Sequence, residues 1–222
     1  MHVLILSGSG RYQDRWHDFT ATSVAVATVL SADGADVAVR SKPSALAELA
    51  GADLLVVNAG EGRYHELVDG PEEEWEQAFD ALRRYRAGGG PVLALHAAAN
   101  SLEGLAEWPH WIGGRWVRGR SMHPPIGRFR AAVTDVDHPL TRGLTDLTLH
   151  DERYSYLEVH ESATVLLQHE FEGRTHPLVW AIEADGSRAV YDALGHDVRA
   201  YASVERVDLL RREVSWLTGT PG

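Results

Sequence analysis

Three short apolar runs constrain this chain more than any other feature. They are Val3-Leu4-Ile5-Leu6, Leu54-Leu55-Val56-Val57 and Val92-Leu93-Ala94-Leu95. Each is continuously apolar rather than alternating, as expected of a strand buried on both faces of a parallel sheet. Each also stops abruptly, at Ser7-Gly8-Ser9-Gly10, at Asn58-Ala59-Gly60 and at His96. Between them lie helical patterns. One is expected from an Asp18 N-cap to about Asp33, with Phe19, Ser23, Val26, Ala27 and Leu30 inward and Gly34 ending it. Another has Pro71 in its first turn and Glu72, Glu73 and Glu74 at the positive end of its dipole. Its apolar stripe is Trp75, Ala78, Phe79, Leu82 and Tyr85, and Gly88-Gly89-Gly90 stops it. Val37–Val39 adds a further strand.

Alternation of this kind gives an α/β fold, a parallel sheet covered on both faces by helices. Ligands of such sheets bind at the carboxyl ends of the strands. The segments 7–17, 58–65 and 96–100 are therefore expected on one rim, which brings His17 and Asn58 into the candidate site. The second half is richer in strands, expected at Gly127–Val133, Thr164–His169, Leu178–Ile182 and Ala189–Tyr191. A last helix from Ser203 should bury Val207, Leu210, Val214 and Leu217. No linker or repeat divides the chain, so residues 1–222 are expected to form a single domain.

Composition excludes several classes. There is no cysteine, hence no disulfide, thiolate ligand or cysteine nucleophile. The formal net charge of -11 disfavours nucleic acid and anionic membranes as partners, and no apolar stretch approaches a membrane span. Met1-His2-Val3-Leu4-Ile5-Leu6 lacks a basic leader and is too short for a secretory signal, so a cytoplasmic location is expected. A homo-oligomer is left open.

The 12 histidines carry the chemical signal. Ala94-Leu95-His96-Ala97-Ala98 runs a buried strand into a residue flanked by small side chains, the steric requirement of a nucleophile elbow. Here the elbow residue is His96, expected at the end of a central strand facing a solvent-accessible pocket. Its imidazole can serve as general base, metal ligand or hydrogen-bond partner; the competing reading is a buried histidine donating to a carbonyl. Met122-His123-Pro124-Pro125 fixes an imidazole in a stiff loop. His150-Asp151-Glu152-Arg153-Tyr154 suits acid–base work or metal binding, with Asp151 and Glu152 on opposite faces of a strand so that one reaches a site. Thr175-His176-Pro177 and Leu194-Gly195-His196-Asp197 place further histidines at strand boundaries. Ser7-Gly8-Ser9-Gly10-Arg11-Tyr12-Gln13 lacks the third glycine of a dinucleotide loop, and there is no GxSxG or HExxH.

Taken in order, the His96 elbow, Gly113-Gly114, His123, Asp137-His138-Pro139-Leu140-Thr141-Arg142-Gly143-Leu144, Asp151-Glu152-Arg153-Tyr154, His176-Pro177-Leu178-Val179-Trp180 and Tyr191-Asp192-Ala193-Leu194-Gly195-His196 resemble the ThuA-like (trehalose utilisation) family. The resemblance runs from near the N-terminus to the final helix. It implies a flavodoxin-like three-layer α/β sandwich of the class I glutamine amidotransferase-like superfamily, with a mostly parallel central sheet and a β-rich second half. It also implies a role in the utilisation of trehalose, related sugars and their 3-keto derivatives. The family elbow commonly reads Gly-Leu-His-Gly or Gly-Leu-His-Ser; Ala94 and Ala97 stand at the small positions here, which keeps the bulk low.

The expected function is therefore a carbohydrate-processing enzyme, not a cysteine-dependent amidotransferase. It would act on a small sugar-like ligand with His96, Asp151 and Glu152 as catalytic groups. His17, Asn58, His123, Tyr154, His176 and His196 are the expected substrate-binding residues, and Trp16, Tyr64, Trp108 and Trp111 are candidate faces for a sugar ring. A divalent metal, zinc or manganese, is admissible, held by neutral imidazoles and one carboxylate because no thiolate exists. The alternative is a non-catalytic sugar-binding or regulatory module on the same fold.

Overall fold

In the computed structural model, residues 1–63 and 66–220 are described. The elements run β1 (His2–Ser7), α1 (Phe19–Ala32), β2 (Asp36–Arg40), β3 (Leu54–Asn58), α2 (Glu66–Asp69), α3 (Glu72–Ala87), β4 (Val92–Leu95), α4 (Trp108–Trp111), β5 (Gly114–Arg115), β6 (Gly127–Val133), β7 (Leu147–Asp151), β8 (Glu158–Val159), β9 (Thr164–Phe171), β10 (Arg174–Ala184), β11 (Ser187–Asp192) and α5 (Val204–Thr218). The nine-stranded sheet has the order β2-β1-β3-β4-β11-β10-β9-β6-β7. The first five of these strands are parallel to one another, and from β11 onward each pairing is antiparallel.

The apolar runs become the parallel centre. Leu54 to Val57 and Val92 to Leu95 have no measurable exposure, since helices cover both faces. Each parallel strand needs a crossover to return, and α1 and α3 fill that role between the early strands. The Asp18 carboxylate accepts the Ala21 N–H at 2.9 Å and so starts α1. Pro71 stands one position earlier than expected, as the N-cap of α3, where its fixed extended backbone precedes the first helical residue. Arg211 of α5 grips Asp33 at the end of α1 at 2.7 Å, tying those two helices together.

Two elements depart from the periodicity. In α5 the buried face is Arg206, Leu209, Leu210, Glu213, Val214 and Leu217; Val207 is only half-buried. Two ionisable residues enter the core because Arg206 pairs with the buried Asp192 and Glu213 lies beside them. Strand β10 begins at Arg174, four residues before its apolar run. Pro177 suggests a boundary, yet it lies within the strand at a register shift against β9, the place where a sheet tolerates a missing N–H.

Candidate functional site

The carboxyl ends of β1, β4 and β11 meet at one rim, as parallel pairing through β3 requires. At the end of β4 the backbone turns sharply, and His96 has φ of 47°, left-handed for a residue with a side chain. Such strain persists where the surroundings fix it. Here the Tyr191 hydroxyl donates to the His96 carbonyl at 2.8 Å, and Ala97 and Ala98 pack closely enough to leave the turn room. The elbow expected from the small residues is present. His96 itself is more enclosed than expected: it is 1 % exposed rather than open to solvent.

Three further side chains close on it. His17 arrives from the loop after β1, Glu152 from the residue after β7, and His196 from the loop after β11. One ligating atom of each of His17, His96, Glu152 and His196 lies within 4.8 Å of all the others. His96 Nε2 is 3.1 Å from His17 Nε2 and 3.4 Å from Glu152 Oε2, and His196 Nδ1 is 3.3 Å from Glu152 Oε2.

The outer nitrogens are fixed. His17 Nδ1 sits 2.8 and 2.7 Å from the two Asp14 oxygens, so it is the donor. His96 Nδ1 donates to the Ala193 carbonyl at 2.7 Å. Both rings therefore present an Nε2 lone pair inward. Burial holds His17 below its ordinary value, against the pull of Asp14. Burial also opposes the Glu152 charge, yet His196 and His96 more than offset it and hold that carboxyl well below the usual range. His196 is raised, first by Glu152, with burial working against it. The result is an ionised carboxylate among three imidazoles.

Glu152 and Asp151 do divide their work, though both are buried. Asp151, expected as a catalytic group, has its carboxylate taken up by backbone N–H groups. Its Oδ2 accepts the Gly195 N–H at 2.7 Å, and its Oδ1 accepts those of His196 at 3.1 Å and Glu152 at 2.9 Å. It positions the loop that carries His196. That loop demands Gly195, whose φ is 109° and whose hypothetical Cβ would lie 2.5 Å from the Tyr201 hydroxyl.

Of the expected binding residues, His17 and His196 join the cluster and Tyr154 flanks it, its ring 4.3 Å from that of His96. Burial pushes the Tyr154 phenol well above its ordinary value, so it stays neutral. His123 stands at the mouth with its side chain 37 % exposed, 3.5 Å from Glu152 Oε1. Asn58 and His176 are corrected. The Asn58 amide donates to Thr22 and Ser23 of α1 and locks that helix to β3. His176 accepts the Tyr156 N–H at Nδ1, with Nε2 3.3 Å from the Phe171 carbonyl, and braces β10 away from the cluster. Trp108 and Trp111 are core residues, whereas Trp16 is 70 % exposed. Tyr64 and His65 lie outside the described residues. Sequence reasoning missed Asp14, whose spacing three residues before His17 was the only signal, and Trp116, which packs edge-on to Tyr154 at 4.8 Å.

The trehalose utilisation (ThuA) family profile matches residues 2–217. The chain belongs to the ThuA family. Membership points to a role in trehalose utilisation and leaves the reaction open. Solved structures similar to this ThuA-family chain include a putative ThuA-like protein from Parabacteroides merdae, at 20 % identity and a TM-score of 0.79, covering 98 % of this chain and 90 % of that one. Another, from Bacteroides uniformis, has 16 % identity and a TM-score of 0.74, covering 97 % and 90 %. A putative GMP synthase subunit from Thermoplasma acidophilum has 15 % identity and a TM-score of 0.62, covering 99 % and 94 %. At these identities the likeness is one of fold, and that fold is amidotransferase-like. No curated protein matches the chain. Among the described residues no helix is long and apolar enough to cross a membrane.

Proposed function

We propose that this ThuA-family chain is a carbohydrate-processing enzyme that acts on a small sugar or keto-sugar at the His17–His96–Glu152–His196 cluster. The observation that carries the reading is the convergence of three imidazoles and an ionised carboxylate on a strained elbow at the strand ends. The cluster lies at the carboxyl ends of parallel strands, where ligands of such sheets bind, and it opens toward the half-exposed His123. The chemistry available is proton transfer to and from hydroxyl or carbonyl-adjacent carbon. The half-exposed His123 is the group best placed to exchange protons with solvent, and the enclosed cluster would hold the reacting oxygen.

A polyhydroxylated ligand also finds polar walls nearby. A cleft beyond the elbow is lined by Arg11, Glu61, Asn100 and Ser101. Ser101 Oγ is buried there without a partner among the described residues. The exposed Trp16 indole, next to His17, offers an apolar face of the kind that packs on a sugar ring.

The test is a turnover screen of trehalose, related disaccharides and their 3-keto derivatives with wild type and His96→Ala, each checked for folding by melting temperature. Loss of His96 from the cluster should lower the rate by roughly a hundred- to ten-thousand-fold with the fold intact. A destabilised His96→Ala protein with full activity per folded molecule would overturn the assignment. Sugar binding by the wild type with no turnover of any sugar in the screen would establish the binding-module alternative instead.

A further inference from the structure

The inward-facing atoms of the histidine cluster offer more lone pairs than the cluster has protons to satisfy. We infer that His17, His96, His196 and Glu152 are the ligands of a divalent transition-metal ion of the zinc or manganese kind. The inference concerns the site of the proposed function but not its substrate, and it stands on the geometry alone.

His17 Nδ1 and His96 Nδ1 are both committed as donors, to Asp14 and to the Ala193 carbonyl. Their Nε2 atoms, facing one another at 3.1 Å, are then two acceptors with no donor between them. Opposed lone pairs at that distance repel unless something positive lies beside both. One proton between the rings would satisfy that pair. It would leave His196 Nδ1, buried 3.3 Å from Glu152 Oε2, in an attractive but poorly aligned contact. A single divalent ion resolves both.

Distances agree with this. Metal–imidazole bonds of about 2.0–2.1 Å place tetrahedral neighbours about 3.4 Å apart, and somewhat closer when coordination is higher. Three of the six edges of the cluster are 3.1, 3.4 and 3.3 Å, and the others are within 4.8 Å, so the ligands would draw in slightly around an ion. The outer contacts are those of ligating histidines, whose second nitrogen donates to a carboxylate or a backbone carbonyl and so fixes tautomer and ring angle. Asp14 and Ala193 fill those two roles. Asp14 is itself held by the backbone N–H groups of Trp16 at 2.7 Å and His17 at 3.0 Å. The ligand set is imidazole and carboxylate, which suits zinc, manganese or iron and disfavours the soft-ligand metals. His123 is not part of the set. It stands at the mouth, where a substrate oxygen entering an open coordination position would meet it.

The experiment uses untagged full-length protein, stripped with chelator and dialysed. Zinc and manganese are titrated separately by calorimetry, metal content is measured per chain, and cobalt(II) is added as a visible-spectrum probe. One equivalent per chain, a raised melting temperature and a ligand-field spectrum are expected. Glu152→Gln and His196→Ala should abolish or sharply weaken uptake. Asp14→Asn keeps all four ligands and should weaken uptake by about 10- to 100-fold. His123→Ala should keep full stoichiometry. Should a ligand variant fail to fold, the Asp14→Asn and His123→Ala pair still decides the matter. No uptake by the wild type, or equal uptake by wild type, Asp14→Asn and Glu152→Gln, would overturn the inference and favour a proton-bridged pair. Metal uptake without sugar turnover would leave it standing and undo the carbohydrate reading; sugar turnover with no metal uptake would do the reverse.

Discussion

Two ionisable clusters lie under one loop, and they resolve their charge in opposite ways. The loop is residues 193–197, after β11. On one side of it His17, His96, Glu152 and His196 converge. On the other, Arg206 and Glu213 of α5 meet Asp192 at the end of β11, with Arg206 2.7 Å from Asp192 and 3.9 Å from Glu213. All three of the latter are at most 1 % exposed. Burial opposes the Arg206 charge, but Asp192 beside it holds the guanidinium protonated. Glu213 is pushed well above its ordinary value, first by burial and then by Asp192, so it stays neutral. The guanidinium also lies over the Tyr201 ring, 5.2 Å from its centre. This cluster is one cation, one anion and one neutral acid, so its charges balance within it.

The histidine cluster does not close. Its donors point outward to Asp14 and Ala193, its acceptors point inward to one another, and it opens toward the half-exposed His123. Burial and shifted titration are common to both clusters and so do not distinguish them. What does is the internal cation: Arg206 faces the carboxyl groups of its own cluster, whereas the inward lone pairs of His17 and His96 face one another with no fixed cation between them. The self-neutralised cluster serves as the foundation: Asp192 also accepts the Leu194 N–H at 2.8 Å and holds the loop that delivers His196.

Arg206 is the position at which the foundation is most vulnerable. Arg206→Met removes the only cation from the foundation and leaves Asp192 buried without its partner. Breaking a buried pair from one side costs about 3–5 kcal/mol. Denaturant unfolding should show a loss of that size, and a midpoint equal to wild type would mean that the triad is not the foundation described.

A smaller effect is expected at the loop itself. Gly195→Ala forces a side chain into φ of 109° and against the Tyr201 hydroxyl. Strain of this kind costs roughly 1–3 kcal/mol. Adding Tyr201→Phe removes the hydroxyl, which has no partner among the described residues, and should restore the part due to collision but not the part due to φ. Full rescue would show that the backbone angle is not constraining; no rescue would show that the contact is not.

These two positions also mark where the sequence stops being legible. The parallel strands are readable because a strand buried on both faces must be apolar throughout, and Leu54–Val57 leaves no other reading. The elbow is readable from Ala97 and Ala98, since a tight turn excludes bulk. The four-residue site cannot be assembled by reading, because its members come from four loops whose convergence is set by strand order. Asp151 reads as catalytic for the same reason: its true partners, the amides of Gly195 and His196, are more than forty residues away. Helical periodicity assigns charged residues such as Arg206 and Glu213 to solvent, and says nothing of a buried Asp192 waiting at the end of a strand.

The last effect is a change of slope with pH. Glu213 faces Asp192 and Arg206, with Tyr201 and Asp151 contributing to the same field. Its folded value lies above its ordinary one, so the folded chain keeps a proton that the unfolded chain has lost. Stability then falls as pH rises from the ordinary glutamate range toward the folded value, because the native state binds the extra proton. Glu213→Gln has nearly the same shape, is neutral at every pH and can still donate to Asp192. The variant and the wild type should therefore differ least near about pH 4, and the variant should gain relative to the wild type toward about pH 8. Melting temperatures of the two proteins across that interval measure the difference directly, and the contribution of the histidine cluster is common to both. A gap that shrinks or reverses with rising pH would mean that Glu213 is ionised in the folded chain. The foundation would then carry an unmatched negative charge, and its contrast with the histidine cluster would fail at the point that defines it.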